Sequence, residues 1–159
     1  GYLKNEKVVY WQKSQLELDN KLKNDKQIGD VAEEIVEREE KKNFDYIMNM
    51  NPGFVTAGYD LVAGKDNKER YIEVKGTTGL VKRFFWSRNE IEKAREKGDD
   101  YWIYCVTNVD VKRKTGEIHR IKDPYNELGV ENCLIRRKNI LKVGEVEITN
   151  DKVRITIGN

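Results

Sequence analysis

Histidine and cysteine are almost missing from this 159-residue chain, which has one His and two Cys. Most chemistries that rest on those residues therefore fall away. Cys105 and Cys133 lie 28 positions apart with no Cys-x-x-Cys pair, and His119 is the sole imidazole, so buried reduced thiols are expected rather than a zinc site. A Ser-His-Asp triad would have to use His119, which lies in a basic stretch near a turn, and no Gly-x-Ser-x-Gly elbow accompanies it. Gly76-Thr77-Thr78-Gly79 lacks the following lysine and the spacing of a phosphate-cradling loop. No apolar run approaches the roughly 20 residues that a bilayer demands, and no secretory signal pattern opens the chain, which predicts a cytoplasmic protein with no membrane partner. Net charge is small at +2, but charged residues make up 36% of the chain and hydrophobic ones 38%, the balance of one domain with a real core and a heavily ionised surface. A first residue that is glycine rather than methionine points to a piece of a larger parent with further domains.

What the chain does contain is a spaced set of charges in strand-like sequence. Asp60 is followed, after twelve residues, by Glu73-Val74-Lys75. Gly58-Tyr59-Asp60-Leu61-Val62 and Arg70-Tyr71-Ile72-Glu73-Val74-Lys75 read as strands, and Gly64-Lys65-Asp66-Asn67-Lys68 between them has turn chemistry, so a hairpin brings Asp60 to Glu73. Alternation along the second strand displays Tyr71, Glu73 and Lys75 on one face and turns Ile72 and Val74 to the core. Two carboxylates match the needs of Mg²⁺, which takes one or two of them together with waters and phosphate oxygens. A lysine beside them orients or helps deprotonate an attacking water and offsets developing charge. The plainer reading of Glu-x-Lys is a solvated strand face with modest cross-strand pairs.

Upstream, Ile28, Val31, Ala32, Ile35 and Val36 recur at helical spacing. Glu33 and Glu34 flank that stripe almost symmetrically at about 100° per residue, so periodicity does not choose between them. Asp30 with Glu33 also forms a capping-box pattern that would open the helix there. A second capping box, Ser87-Arg88-Asn89-Glu90, opens another helix with Ile91 and Ala94 inward and Gly98 at its end. Residues 1–26 read as a helical extension, with 27–159 as the domain proper. Near the other end, 144–149 and 152–157 alternate with period two about Asn150-Asp151, a β-hairpin that extends the main sheet or packs on it.

Taken in order, the Glu33 helix, a strand near 44–48, the Asp60 strand, the Glu73-Val74-Lys75 strand, a second helix and a strand near 101–109 resemble the PD-(D/E)XK nuclease superfamily. Within it, Gly29-Asp30-Val31-Ala32-Glu33, Gly58-Tyr59-Asp60, Ile72-Glu73-Val74-Lys75-Gly76 and Phe85-Trp86-Ser87-Arg88-Asn89-Glu90 look like the domain named for the C-terminal part of the plant protein NO VEIN, with Mrr-like restriction nucleases similar more distantly. The likeness covers roughly residues 27–110. It implies that Asp60 and Glu73 hold the metal, that Lys75 is the catalytic lysine, and that Glu33 rather than Glu34 is the first-helix glutamate; the Val74 carbonyl between them is expected as a further ligand. Tyr59 stands where the superfamily name has proline. The resemblance also leaves a supporting role open for Glu90.

Cations are clustered. In Lys82-Arg83-Phe84-Phe85-Trp86-Ser87-Arg88 at least one of Phe84 and Phe85 is expected in the core, leaving Lys82, Arg83 and Arg88 as contacts to a phosphate backbone. Lys112-Arg113-Lys114, with Arg120 and Lys122, surrounds a hairpin turn expected at Thr115-Gly116, and Arg136-Arg137-Lys138 forms a third run. The expectation is an α/β fold of restriction-endonuclease type, an αβββαβ core whose mixed central sheet is flanked by helices. Its expected activity is that of a Mg²⁺- or Mn²⁺-dependent endonuclease on DNA within a larger restriction, defence or DNA-processing protein. Staggered cuts would need two such sites, which a homodimer supplies. The alternative is a non-cleaving nucleic-acid-binding or docking module of a helicase or defence protein.

Overall fold

The computed structural model describes residues 2–50, 57–131, 144–148 and 152–158, with side chains for 15–50, 57–131 and 152–158. Cys133, the run Arg136-Arg137-Lys138 and the Asn150-Asp151 turn lie outside the described residues. In chain order the elements are α1 (Tyr2–Glu40), β1 (Tyr46–Asn49), β2 (Leu61–Lys65), β3 (Lys68–Gly76), β4 (Lys82–Ser87), α2 (Arg88–Lys97), β5 (Tyr101–Asp110), β6 (Thr115–Lys122), α3 (Pro124–Glu127), β7 (Gly144–Ile148) and β8 (Lys152–Ile157).

The first helix runs without interruption through the position where a start was expected. Val31, Ala32, Ile35 and Val36 are buried, whereas residues 15–27 are exposed, Leu16 and Leu22 among them. Because the chain ahead of Asp30 is already helical, Asp30 is no N-cap; its carboxylate pairs with Lys26 one turn back at 3.4 Å. At the other helix the capping box is real: Ser87 Oγ accepts from Glu90 N, Glu90 accepts from Ser87 N, and Gly98, at φ 58°, ends the run.

Five strands form the central sheet in the order β1-β2-β3-β5-β6, with β3 and β5 parallel and every other pair antiparallel. Asp66 (φ 53°) and Asn67 (φ 62°) both take the left-handed conformation, closing β2 and β3 as a two-residue hairpin with Lys65 opposite Lys68. The turn is thus tighter than the Gly64–Lys68 stretch had implied. Between β5 and β6 the Asp110 carboxylate accepts from the amides of Lys112 and Arg113, each at 3.0 Å. That side chain fixes the turn at 111–114, ahead of Thr115-Gly116, which already belong to β6.

The C-terminal hairpin pairs as expected, from Gly144 opposite Ile157 to Ile148 opposite Val153. It packs on the main sheet rather than extending it: β8 pairs with β4, giving a second sheet in the order β4-β8-β7. Phe84, Trp86, Val153, Ile155 and Ile157 on its inner face join Ile91 and Ala94 of α2 over Tyr101, Ile103 and Cys105. Phe84 is core and Phe85 remains 48% exposed. On the opposite face α1 covers Leu61, Ala63, Ile72, Val74, Tyr104 and Val106. With both faces covered, Glu73 is buried and its face-mates Tyr71 and Lys75 are only half-exposed. Cys105 is buried, which pushes its thiol up to about 11. Among the described residues no helix is long and apolar enough to cross a membrane.

Candidate active site

Asp60 lies immediately before β2 rather than within it. Its amide donates to the Ile72 carbonyl and its carbonyl accepts from Met50 N, both at 2.8 Å, so its backbone is held from both sides. Its side chain turns to the neighbouring strand, where Oδ2 accepts the Val74 amide at 2.8 Å. Strand geometry points the amide and carbonyl of one residue to the same side. The Val74 carbonyl is therefore directed, like its amide, toward the Asp60 edge of β3.

Gly58, at φ 83°, makes that approach possible. A Cβ there would stand 2.5 Å from Lys93 Cγ and 3.3 Å from the Asn89 carbonyl, so α2 presses directly on the loop that leads to Asp60. From below, the Tyr101 hydroxyl donates to the Gly58 carbonyl at 2.8 Å. Burial pushes the pKa of that hydroxyl well up, so it stays a neutral donor. Nothing in the sequence marks Tyr101 for this task.

Glu73 is buried, 5% exposed, on the face of β3 that meets α2. Lys75 follows on the same face, with Nζ 3.6 Å from Glu73 Oε1 and 2.8 Å from Glu90 Oε1. Glu90 thus serves its helix cap and the site together. The capping box was legible in Ser-x-x-Glu spacing; the ion pair depends on where α2 lies over β3. Burial pushes the Glu73 carboxyl well above its ordinary value, and the charges of Asp60 and Glu90 add to the effect against the pull of Lys75. For Glu90 burial acts in the same sense, but Lys75 and the Ser87 amide outweigh it and lower the pKa. Lys75 is desolvated too, yet Glu73 and Glu90 raise its pKa and keep it an ammonium.

Glu33 is half-buried on α1, one residue after Ala32. Ala32 and Ile28 meet β3 at Gly76, where a Cβ would lie 2.7 Å from Ala32 Cβ. The charges acting most strongly on Glu73 and Lys75 are Asp60, Glu90 and each other, not Glu33. Glu34 is exposed and pairs with Lys114 at 3.1 Å. Among the cations expected to meet a phosphate backbone, Lys82 is half-exposed and Arg83 and Arg88 are exposed. Arg83 Nε donates to Thr156 Oγ1 at 3.2 Å. Arg120 is committed elsewhere, 2.6 Å from the buried Glu40 carboxylate.

Two carboxylates, Glu73 and Glu90, lie against the single ammonium of Lys75, and the charge of Asp60 acts on the same cluster, a surplus of negative charge that a divalent cation would relieve. Among the described residues no three His, Cys, Asp or Glu side chains converge as a ready-made metal cage. Asp60, Glu73 and the Val74 carbonyl nonetheless fit Mg²⁺, which needs only one or two carboxylates and keeps several waters.

With β4 set aside in the second sheet, the order is the αβββαβ expected from the sequence, with β3 parallel to β5 and Asp60 ahead of β2 facing Glu73 and Lys75 of β3. Residues 20–121, well over half of the chain, match the family described as Protein NO VEIN, C-terminal, and the chain belongs to that family. It is similar to the solved structure of Hjc, a Holliday junction resolvase of Archaeoglobus fulgidus, at 18% identity and a TM-score of 0.48 over 80% of this chain and 83% of that one. None of the curated proteins matches this chain.

Proposed function

We propose that this chain is a metal-dependent endonuclease that hydrolyses phosphodiester bonds in DNA, within a larger restriction, defence or DNA-processing protein. The observation that carries it is the burial of Glu73 and the partial burial of Lys75 beside Asp60 in one cluster, with Lys75 inside hydrogen-bonding range of a carboxylate. Burying such groups is costly, and a fold that needed only stability would have no use for the surplus carboxylate.

In this reading Asp60 and Glu73 hold Mg²⁺ or Mn²⁺ with the Val74 carbonyl. A divalent cation bound there would supply Lewis acidity toward the attacking water and the phosphoryl oxygen. Lys75 donates to the attacking water as it approaches phosphorus and offsets the charge that develops on the phosphoryl oxygens. Glu33 would orient the cation's surroundings or help to hold a second ion from α1. Lys82, Arg83 and Arg88 take the phosphates that flank the scissile bond. The test is nicking of a plasmid in Mg²⁺ or Mn²⁺ by the wild type and by Asp60→Ala, Glu73→Ala and Lys75→Ala. Cleavage by the wild type alone is expected, and equal nicking by all four removes the assignment.

A second reading, a nucleic-acid-binding or docking module that does not cleave, draws on the lack of a three-donor cage among the described residues. Calorimetric titration with Mn²⁺ separates the two. Uptake of metal that disappears in Asp60→Ala supports the nuclease, and DNA binding with no such uptake supports the module.

A further inference from the structure

Glu90 Oε1 accepts from two groups at once, the Ser87 amide at 3.0 Å and Lys75 Nζ at 2.8 Å. Ser87 Oγ accepts from Glu90 N in return, so the carboxylate is fixed to the first turn of α2 from both ends of the capping box. That turn is itself anchored, since Ile91 and Ala94 are in the core. The cap needs only the bond to Ser87 N; the ion pair with Lys75 is additional to it. Lys75 has a side chain only 15% exposed, so water cannot replace a lost partner at full strength. Glu73 is the other carboxylate within reach, but it lies farther away, at 3.6 Å, beside Asp60 where a cation would claim it.

We propose that Glu90 is the positioning residue of this site. It holds the Lys75 ammonium in place through the N-terminal turn of α2, and its side chain also meets the Glu73 carboxyl beside that ammonium. What Lys75 does once positioned rests on the nuclease reading above; where it is held does not.

Two measurements on the full chain separate those claims. The first is the rate at which acetic anhydride acylates Lys75, followed by peptide mass spectrometry in the folded protein. In Glu90→Gln, where the amide preserves a capping box but removes the charge that faces Lys75, Lys75 is acylated about tenfold faster, the scale of a charge-assisted hydrogen bond reduced to a neutral one. In Ser87→Ala the thermal midpoint falls while Lys75 keeps its wild-type protection, because the tether to Glu90 is the Ser87 backbone amide. Should Glu90→Gln fail to fold, Glu90→Asp, which withdraws the carboxylate by one methylene, gives the same readout. Unchanged acylation of Lys75 in the folded Glu90 variant overturns the proposal. So does equal acceleration in Ser87→Ala, which would make the effect one of cap stability. The second measurement is nicking in Mn²⁺, where Glu90→Gln lowers kcat about tenfold with KM for DNA unchanged. A loss confined to KM overturns the positioning role. A wild type that never nicks, with the acylation contrast intact, retires the nuclease reading and leaves Glu90 as the holder of Lys75.

Discussion

Asp60 Oδ2 accepts the Val74 amide at 2.8 Å, so the side chain placed to hold a cation also completes the hydrogen bonding of β3 where β2 begins. The two tasks separate by substitution. Asp60→Asn keeps an oxygen for Val74 N and is expected to retain the thermal midpoint within about 2 °C while abolishing metal-dependent cleavage. Asp60→Ala leaves a half-buried amide without its acceptor. It should cost about 1–3 kcal/mol on top of the lost activity, read by denaturant melts of the three proteins.

Glu40 gives a stability prediction outside the site. It is buried, takes hydrogen bonds from Tyr104 and Arg120, each at 2.6 Å, and from Asn43 at 3.2 Å, and stands 4.0 Å from Arg70. Burial by itself would raise its pKa from 4.5, but those hydrogen bonds and the charge of Arg120 lower it. A carboxylate whose folded value is depressed stabilises the fold above its unfolded value, and that contribution is lost as pH falls through the folded one. Glu40→Gln should therefore lower stability by about 1–3 kcal/mol at pH 7. The gap to wild type should close as pH drops below 4.5. Thermal midpoints from pH 7 down to the acid limb measure it, and a gap constant with pH contradicts it.

At Gly76 the backbone of β3 lies directly against α1. A methyl there would stand 2.7 Å from Ala32 Cβ and 3.2 Å from the Ile28 carbonyl, one a core side chain and the other helix backbone, so neither moves cheaply. Gly76→Ala should cost about 1–3 kcal/mol and push α1, and Glu33 with it, off the sheet. Denaturant melts give the first effect. If Glu33 contributes to cleavage, the residual rate of Gly76→Ala should drop toward that of Glu33→Ala.

How far the sequence reached follows from the distance over which each feature is decided. The β2–β3 hairpin was legible because Asp66-Asn67 adopts its turn locally, and the α2 cap because Ser87 and Glu90 are three residues apart. The Asp30 box failed for a nonlocal reason, since helix already preceded it. The pairing of β4 with β8 joins segments separated by the whole of α2, β5 and β6, and no local pattern in β4 announces its partner. The burial of Glu73 was missed in the same way. Alternation gave the right face for Glu73 and Lys75, but only the covering of that face by α2 and the second sheet turns a displayed charge into a desolvated one. The pair from Lys75 to Glu90 inherits that covering.

Metal dependence has a readout that needs no cleavage. A ligand that binds only the folded state adds RT ln(1 + [L]/Kd), about 2.7 kcal/mol at a hundredfold excess over Kd. For a chain of this size each kcal/mol is worth about 2–4 °C, so saturating Mn²⁺ should raise the wild-type midpoint by roughly 5–10 °C. Glu73→Gln removes a ligand charge but keeps the shape, and its midpoint should move by less than about 2 °C under the same conditions. Without metal the order is expected to reverse. The wild type carries a desolvated carboxyl whose pKa burial raises, with Asp60 and Glu90 pushing it further, and the neutral amide is relieved of that penalty. Metal-free Glu73→Gln should thus match or exceed the wild type in stability at neutral pH. Equal Mn²⁺ shifts in the two proteins would place the ion away from Glu73, and with it the chemistry assigned to Lys75.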